Sequence, residues 1–330
     1  MAKGLLILML LCAGVAHAHH SRSAFALDEL VRVDGTVAEV GWTNPHYYLV
    51  VEESSAGTRW TFEGHSIPGL VRNGWAKNSI QVGDTVRVEA NPNRTSGVAF
   101  GLLINVTRDD GETFYSFRPK RRSPKEVVPS TDFSGTWRLI RSLQANLVSG
   151  SGPPSDWSLT ESARAQVANF DPTEDPSLNC QPRGLPRMLD WPYAQQWQRT
   201  ARGINITIEH AVETRQLGTE LPEAGEVMGL GRAQIVKDDG TSLVIRSEGF
   251  AAKHWGLFQG LDSSGDKALL EHYTLQDAGM KLKLTYTVSD PSALTEPAER
   301  TLYYAKVADY DFAPEPPCDI RTARRHLEFE

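Results

Sequence analysis

The chain has 330 residues, with 34 lysines and arginines against 41 aspartates and glutamates, and a formal net charge of −7. That balance gives no general attraction for nucleic acid or for an anionic membrane surface, so neither is expected as a partner. The length is generous for one core and comfortable for two.

The first segment reads as a secretory signal peptide over residues 1–18. Lys3 precedes the apolar run Leu5 to Leu11, which is followed by the small-residue exit Ala16-His17-Ala18. The run is too short for a comfortable membrane span, and no later stretch is apolar enough to cross a bilayer. Cleavage after Ala18 makes His19 the first residue of a mature periplasmic or secreted protein, with His20 beside it.

Residues 19–117 read as a small β domain. Strands are expected over Gly35–Trp42, His46–Val51, Arg59–Glu63, Thr85–Ala90 and Val98–Val106, with a turn at Thr43-Asn44-Pro45 and a short helix over Ile67–Arg72. Five strands with a helix between the third and fourth is the order of an OB-like barrel. Residues 118–131, rich in proline and charge and without periodicity, read as a linker.

Residues 132–330 read as a larger antiparallel, calycin-like barrel. Asp132 to Trp137 opens it with a Gly-x-Trp, a lipocalin-like first-strand signal, and a helix is expected over Thr160–Phe170. Further strands are expected over Tyr193–Thr200, Ile204–Arg215, Val227–Val236, Ser242–Phe250, Ala268–Leu275, Lys281–Val288 and Arg300–Lys306. Such an up-and-down barrel suits one small, apolar ligand. His210 continues the apolar face of Ile204, Ile206 and Ile208, and Tyr286 lies on the inward stripe of Leu282, Leu284 and Val288, so these two are the candidate ligand contacts. Arg246 with Glu248, and Glu299 with Arg300, read as ion pairs.

Chemistry concentrates at the amino terminus. His19 offers an amine and an imidazole on one residue, His20 a second ring, and His46 a third after the Pro45 turn. Glu63 and His65, two apart, are expected on one face of a strand. Nitrogen donors of this kind suit Cu(II) above other divalent ions. His19, His20 and His46, with His65 and Glu63 in reserve, are the candidate metal ligands, and copper is the candidate cofactor. The plainer alternative is that His46 only hydrogen-bonds around its turn. Cys12 leaves with the signal peptide, so Cys180 and Cys318 form an even pair and are expected to join in a disulfide. Hydrolase, nucleotide-binding and metalloprotease motifs are absent from the sequence.

The start His19-His20-Ser21, the stretch from Gly35-Thr36-Val37 to Trp42-Thr43-Asn44-Pro45-His46, then Trp60-Thr61-Phe62-Glu63 and Gly83-Asp84 resemble the exported bacterial proteins grouped as domain-of-unknown-function family 6152. Cys180-x-Pro182, Gly184-Leu185-Pro186-Arg187 and Trp191-Pro192-Tyr193 resemble a segment fused to that family. The resemblance implies export and supplies no activity. Three functions stay open: a binding protein for a transition metal and a small ligand, a copper-dependent oxidative enzyme built on His19, and a structural interaction module of the envelope. The oligomeric state is not legible in the sequence.

Overall fold

The computed structural model describes residues 24–117, 126–140, 153–190, 194–209, 214–220, 230–308, 310, 312, 316–325 and 327. In β1 (Val31–Gly41) the alternation of the sequence becomes two faces: Val33 and Val37 are buried while Arg32, Asp34 and Thr36 face water. A register shift between Val37 and Glu39 leaves Ala38 opposite no partner, a bulge that helps a long strand bend around a small barrel. β2 (Tyr48–Glu53), β3 (Arg59–Glu63), the helix α1 (Ile67–Arg72), β4 (Thr85–Pro92), β5 (Phe100–Arg108) and a short β6 (Thr113–Tyr115) follow.

The order β3-β2-β1-β4-β5 is closed by parallel pairing of β3 with β5, where Thr61, Phe62 and Glu63 face Phe100, Gly101 and Leu102. This is the OB arrangement expected, with α1 between the third and fourth strands. Val33, Val37, Leu49, Val51, Phe62, Leu70, Val88 and Val106 fill its core. Among the aromatic side chains of this barrel, Tyr47, Tyr48, Phe62 and Trp75 are buried, and Trp42 and Trp60 pack half-buried against the core.

Several boundaries differ from the sequence reading, and two of them bear on the site. β1 starts already at Val31, and β2 starts only at Tyr48. His46 and Tyr47 therefore stand outside the ladder, after a cis Asn44–Pro45 bond, because pairing with β1 resumes where Gly41 meets Tyr48.

The second barrel is built from β7 (Gly135–Leu139), β8 (Ala194–Thr200), β9 (Gly203–Ile208), β10 (Thr214–Gly218), β11 (Arg232–Asp238) and β12 (Ser242–Glu248). A separate hairpin, β13 (Lys253–Phe258) with β14 (Leu261–Ser263), precedes β15 (Ala268–Gln276), β16 (Lys281–Ser289) and β17 (Ala298–Val307). Nine strands close the barrel in sequence order, with β13 and β14 left out of it. All neighbours are antiparallel except β10 and β11, which meet in parallel at the single pair Gly218 and Gln234.

The sequence reading counts eight strands here because it takes Ile204–Arg215 as one. The chain reverses between β9 and β10, with Thr207 opposite Thr214. No glycine, proline or asparagine marks that reversal, and the apolar alternation runs unbroken into it. Between β7 and β8 lie α2 (Glu161–Ala168), capped by the Thr160 hydroxyl, and three short 3-10 turns.

Inward residues of the second barrel include Trp137, Trp197, Ile206, Ile245, Leu284 and Leu302, and the Trp197 ring meets Tyr273 edge-on at 4.8 Å. Among them sits a charge pair. Arg215 donates to Glu271 through two nitrogens at 3.0 and 2.6 Å, and Tyr273 donates to the same carboxylate at 2.8 Å. Burial opposes the charge on Arg215, but the Glu271 carboxylate outweighs it and raises the guanidinium pKa. A network of this kind is tolerable in a core because each charge has a partner, although Arg215 Nε makes no hydrogen bond.

After β17 the chain leaves the second barrel and returns to the first as α3 (Ile320–Arg324). Cys180 and Cys318 are joined, S–S 2.03 Å apart across a sequence separation of 138. None of the described helices is long and apolar enough to cross a membrane.

Candidate metal centre

The β2–β3 hairpin ends at the rim of the first barrel, and there it brings His46 to Glu63. The His46 Nδ1 lies 3.2 Å from Glu63 Oε1, with the histidine side chain 29% exposed and the glutamate 18%. The two are held by the backbone around them: the Tyr47 amide donates to the His65 carbonyl at 3.1 Å, and the Gly64 amide to the Tyr47 carbonyl at 2.7 Å. One nitrogen and one oxygen donor thus share an edge that solvent reaches.

His65 does not share the face of Glu63 as strand alternation implies. β3 stops at Glu63, so the period-two rule has no backbone to act on beyond it. Its ring instead packs on Phe117 at 5.2 Å between centroids, with Nδ1 3.0 Å from the Ser66 hydroxyl. Gly69 makes the space, since a Cβ there would lie 2.1 Å from that nitrogen. Burial first, then the charges of Arg72 and His46, push the His65 pKa down to about 4. A neutral imidazole is the ligating form, although this one is turned toward the barrel wall.

Beside His65 the two barrels meet. Arg72, at the end of α1, donates to the buried Glu209 at the end of β9, and Tyr310 donates to the other oxygen of that carboxylate at 2.6 Å. The Arg72 guanidinium also lies over the Tyr310 ring at 4.6 Å. Sequence reading missed Arg72, Glu209 and Tyr310 altogether. Glu209 lies one residue past β9, in the outward register of Asn205 and Thr207, so no inward charge marks it, and its partner sits on a different domain.

His19, His20 and His210 lie outside the described residues. Among the described residues no group of three or more histidine, cysteine, aspartate or glutamate side chains is placed to hold a metal ion. His46 and Glu63 are two donors; His65 is near them in charge but occupied elsewhere.

Tyr286 is fully buried inside the second barrel, as its stripe implies. Its neighbour across the ladder is Arg300, whose Nε lies 3.1 Å from Asp190 Oδ1, so Arg300 pairs with Asp190 rather than with Glu299. Arg246 does reach Glu248, at 3.3 Å. Burial, partly offset by Arg300, pushes the Asp190 carboxyl up to about 7. The Tyr286 hydroxyl and Asp190 Oδ2 are buried without a hydrogen-bond partner, while Oδ1 faces Arg300. A cleft of about 380 Å³ opens beside Trp157, Thr160 and Arg164, and Tyr286 does not line it.

Fold and site together define a two-barrel β protein, an OB-type barrel with a histidine–carboxylate rim fastened to a nine-stranded barrel with a polar interior. Residues 8–103, which take in most of the amino-terminal barrel, match the model of a family of unknown function, DUF6152. The match ends within β5, so the second barrel lies outside it. Neither a curated protein nor a solved structure matches the chain.

Proposed function

We propose that the chain is an exported binding protein that holds a transition metal, copper foremost, at the rim of its first barrel. The observation that carries this reading is the 3.2 Å separation of His46 Nδ1 from Glu63 Oε1. Donors about 2.0–2.1 Å from a metal stand about 3.3 Å apart across a tetrahedral edge and about 2.9 Å apart as square-planar neighbours. The pair spans a distance between the two, without movement of the backbone. Two donors do not hold a metal alone. The remainder is assigned to the amine and ring of His19, freed by cleavage after Ala18, with His20 alongside.

The second barrel takes a small, mostly apolar ligand. Supporting this are its closed shape and the buried Tyr286 hydroxyl and Asp190 carboxyl, which have hydrogen-bonding capacity to spare. A ligand carrying one polar group among apolar carbons matches such a lining.

The test is metal content and intact mass on protein exported natively and bearing no amino-terminal tag. A mass starting at His19 with about one copper per chain supports the site. His46→Ala then weakens copper affinity by at least tenfold while the circular dichroism spectrum stays unchanged. A correct mass with no copper retained or rebound removes the metal reading, and unchanged affinity in the variant removes His46 from the site.

A further inference from the structure

The segment 316–325 belongs by sequence to the second domain and packs on its 176–180 turn, yet it also reaches across to the first barrel. Asn44 receives it from two sides: its side-chain amide donates to the Pro316 carbonyl at 3.0 Å, and its own carbonyl accepts from the Asp319 amide at 3.0 Å. Asn44 and Cys318 thereby form a parallel bridge. The Thr43 and Thr322 hydroxyls meet at 3.1 Å. Arg321 donates to Glu39 at 2.9 Å and to the Tyr48 hydroxyl at 3.2 Å, and the Arg325 guanidinium covers the Tyr48 ring at 3.6 Å. These first-barrel contacts lie between Glu39 and Tyr48, on both sides of His46.

Cys318, between the two residues that meet Asn44, is bonded to Cys180 of the second domain, and Arg324 donates to Asn179 there at 3.1 Å. We propose that this disulfide is a redox-sensitive strap: closed, it holds the Thr43-Asn44-Pro45-His46 turn in place through residues 316–325, and opened, it releases that turn. The physical reason is the weakness of each individual contact. Each hydrogen bond adds little net of the water it replaces; Asn44 and Thr322, both buried, are shielded only while the segment stays docked, and the Arg321–Glu39 pair is exposed. Such contacts persist when a covalent tie keeps the local concentration of the segment high. Without the bond, the segment is held to the second domain by the chain that links it to Val307 and by the non-covalent packing of α3 on residues 176–179.

Opening requires a dithiol reductant. Its two sulfurs give up two electrons and two protons and leave joined as a disulfide, while Cys180 and Cys318 become thiols. The strap's hold on the turn stands on the contacts above. Only its consequence for metal binding rests on the proposed His46 site.

Hydrogen exchange by mass spectrometry on the full chain tests the strap, comparing the oxidised protein with Cys180→Ser/Cys318→Ser. Exchange is expected to be several-fold faster both in 316–325 and in the turn from Gly41 to Tyr48, and unchanged in β4 and β5. Wild-type protein reduced by a dithiol gives the same readout should the double variant not fold. Thr322→Ala, which keeps the disulfide, is expected to give a smaller rise in the turn. An unchanged turn, whether or not 316–325 is released, overturns the proposal and leaves the bond a staple of the second domain. Cupric ion titration of the serine variant lacking residues 1–18, and so without the Cys12 thiol, separates the two readings. Wild-type protein that binds no copper while the turn still loosens defeats the metal site and leaves the strap standing. Full copper affinity in a variant with a loosened turn breaks the link between them.

Discussion

The two barrels solve the same problem, closing a sheet on itself, with interiors of different kinds. The first fills its core with valine, leucine and aromatic side chains and keeps its titratable groups at the rim, where His46 meets Glu63. The second encloses Arg215, Glu271, Tyr273 and Tyr286 between layers of leucine and isoleucine, and holds Asp190 buried beside Arg300. A five-stranded barrel is too narrow to hold a charge pair together with its hydrogen-bond partners, whereas nine strands leave room for both. What the wider barrel gains in space it must spend on satisfying polar groups.

The fastening between the barrels sets the largest effect. In the chain-entropy limit a bond closing a loop of 138 residues stabilises by about 5 kcal/mol. Cys180→Ser/Cys318→Ser should therefore lower the denaturant midpoint strongly, as chemical unfolding followed by tryptophan fluorescence will show. A shift of under ~1 kcal/mol would mean that the unfolded chain is already constrained there.

Next comes the buried charge. Glu271→Ala strands Arg215 in the interior and is expected to cost about 3–5 kcal/mol, whereas replacing both partners by apolar residues of similar size should recover most of it. Equal losses in the single and double variants would show that the packing of Tyr273 and Ser247 carries the effect instead.

Acidity should separate the two barrels by sign. His65 has a folded pKa of about 4, below its ordinary value, so the folded first barrel binds fewer protons than the unfolded chain between about pH 4 and 6.5. Its stability is present above that window and is lost as pH falls through it. Asp190 has a folded pKa of about 7, above its ordinary value, so the folded second barrel holds a proton the unfolded chain has released. Its contribution is present below about pH 4 and is lost as pH rises toward 7. Each slope is at most about 1.4 kcal/mol per pH unit. Hydrogen exchange read separately in β4–β5 and in β15–β16 should show opposite trends. Asp190→Asn should flatten the second, and an undiminished slope there would place the titration on another group.

The smallest effect sharpens the comparison at the rim. Glu63→Gln keeps the shape of the His46 contact but removes the carboxylate charge, and should change stability by under ~1 kcal/mol because the pair is partly exposed. A larger loss, measured by thermal unfolding, would make His46–Glu63 a structural pair first.

Much of the fold is legible in the sequence because it rests on local pattern. Alternation in β1 and β16, the short α1 with its proline in the first turn, and the five-strand order follow from side chains that must face a core or water. The pairing of Cys180 with Cys318 is expected because they are the two cysteines beyond residues 1–18, read as a signal peptide. The same logic fails where local pattern carries no mark, as at the unmarked reversal between β9 and β10 and the early end of β3 that separates His65 from Glu63. Only the tertiary structure decided that Arg72 pairs with Glu209, that Arg300 pairs with Asp190, and that 316–325 lies over the Asn44 turn. Each of these joins residues far apart in the chain. Such partners are chosen by burial and by how the two barrels sit against each other, and neither leaves a periodic trace in the sequence.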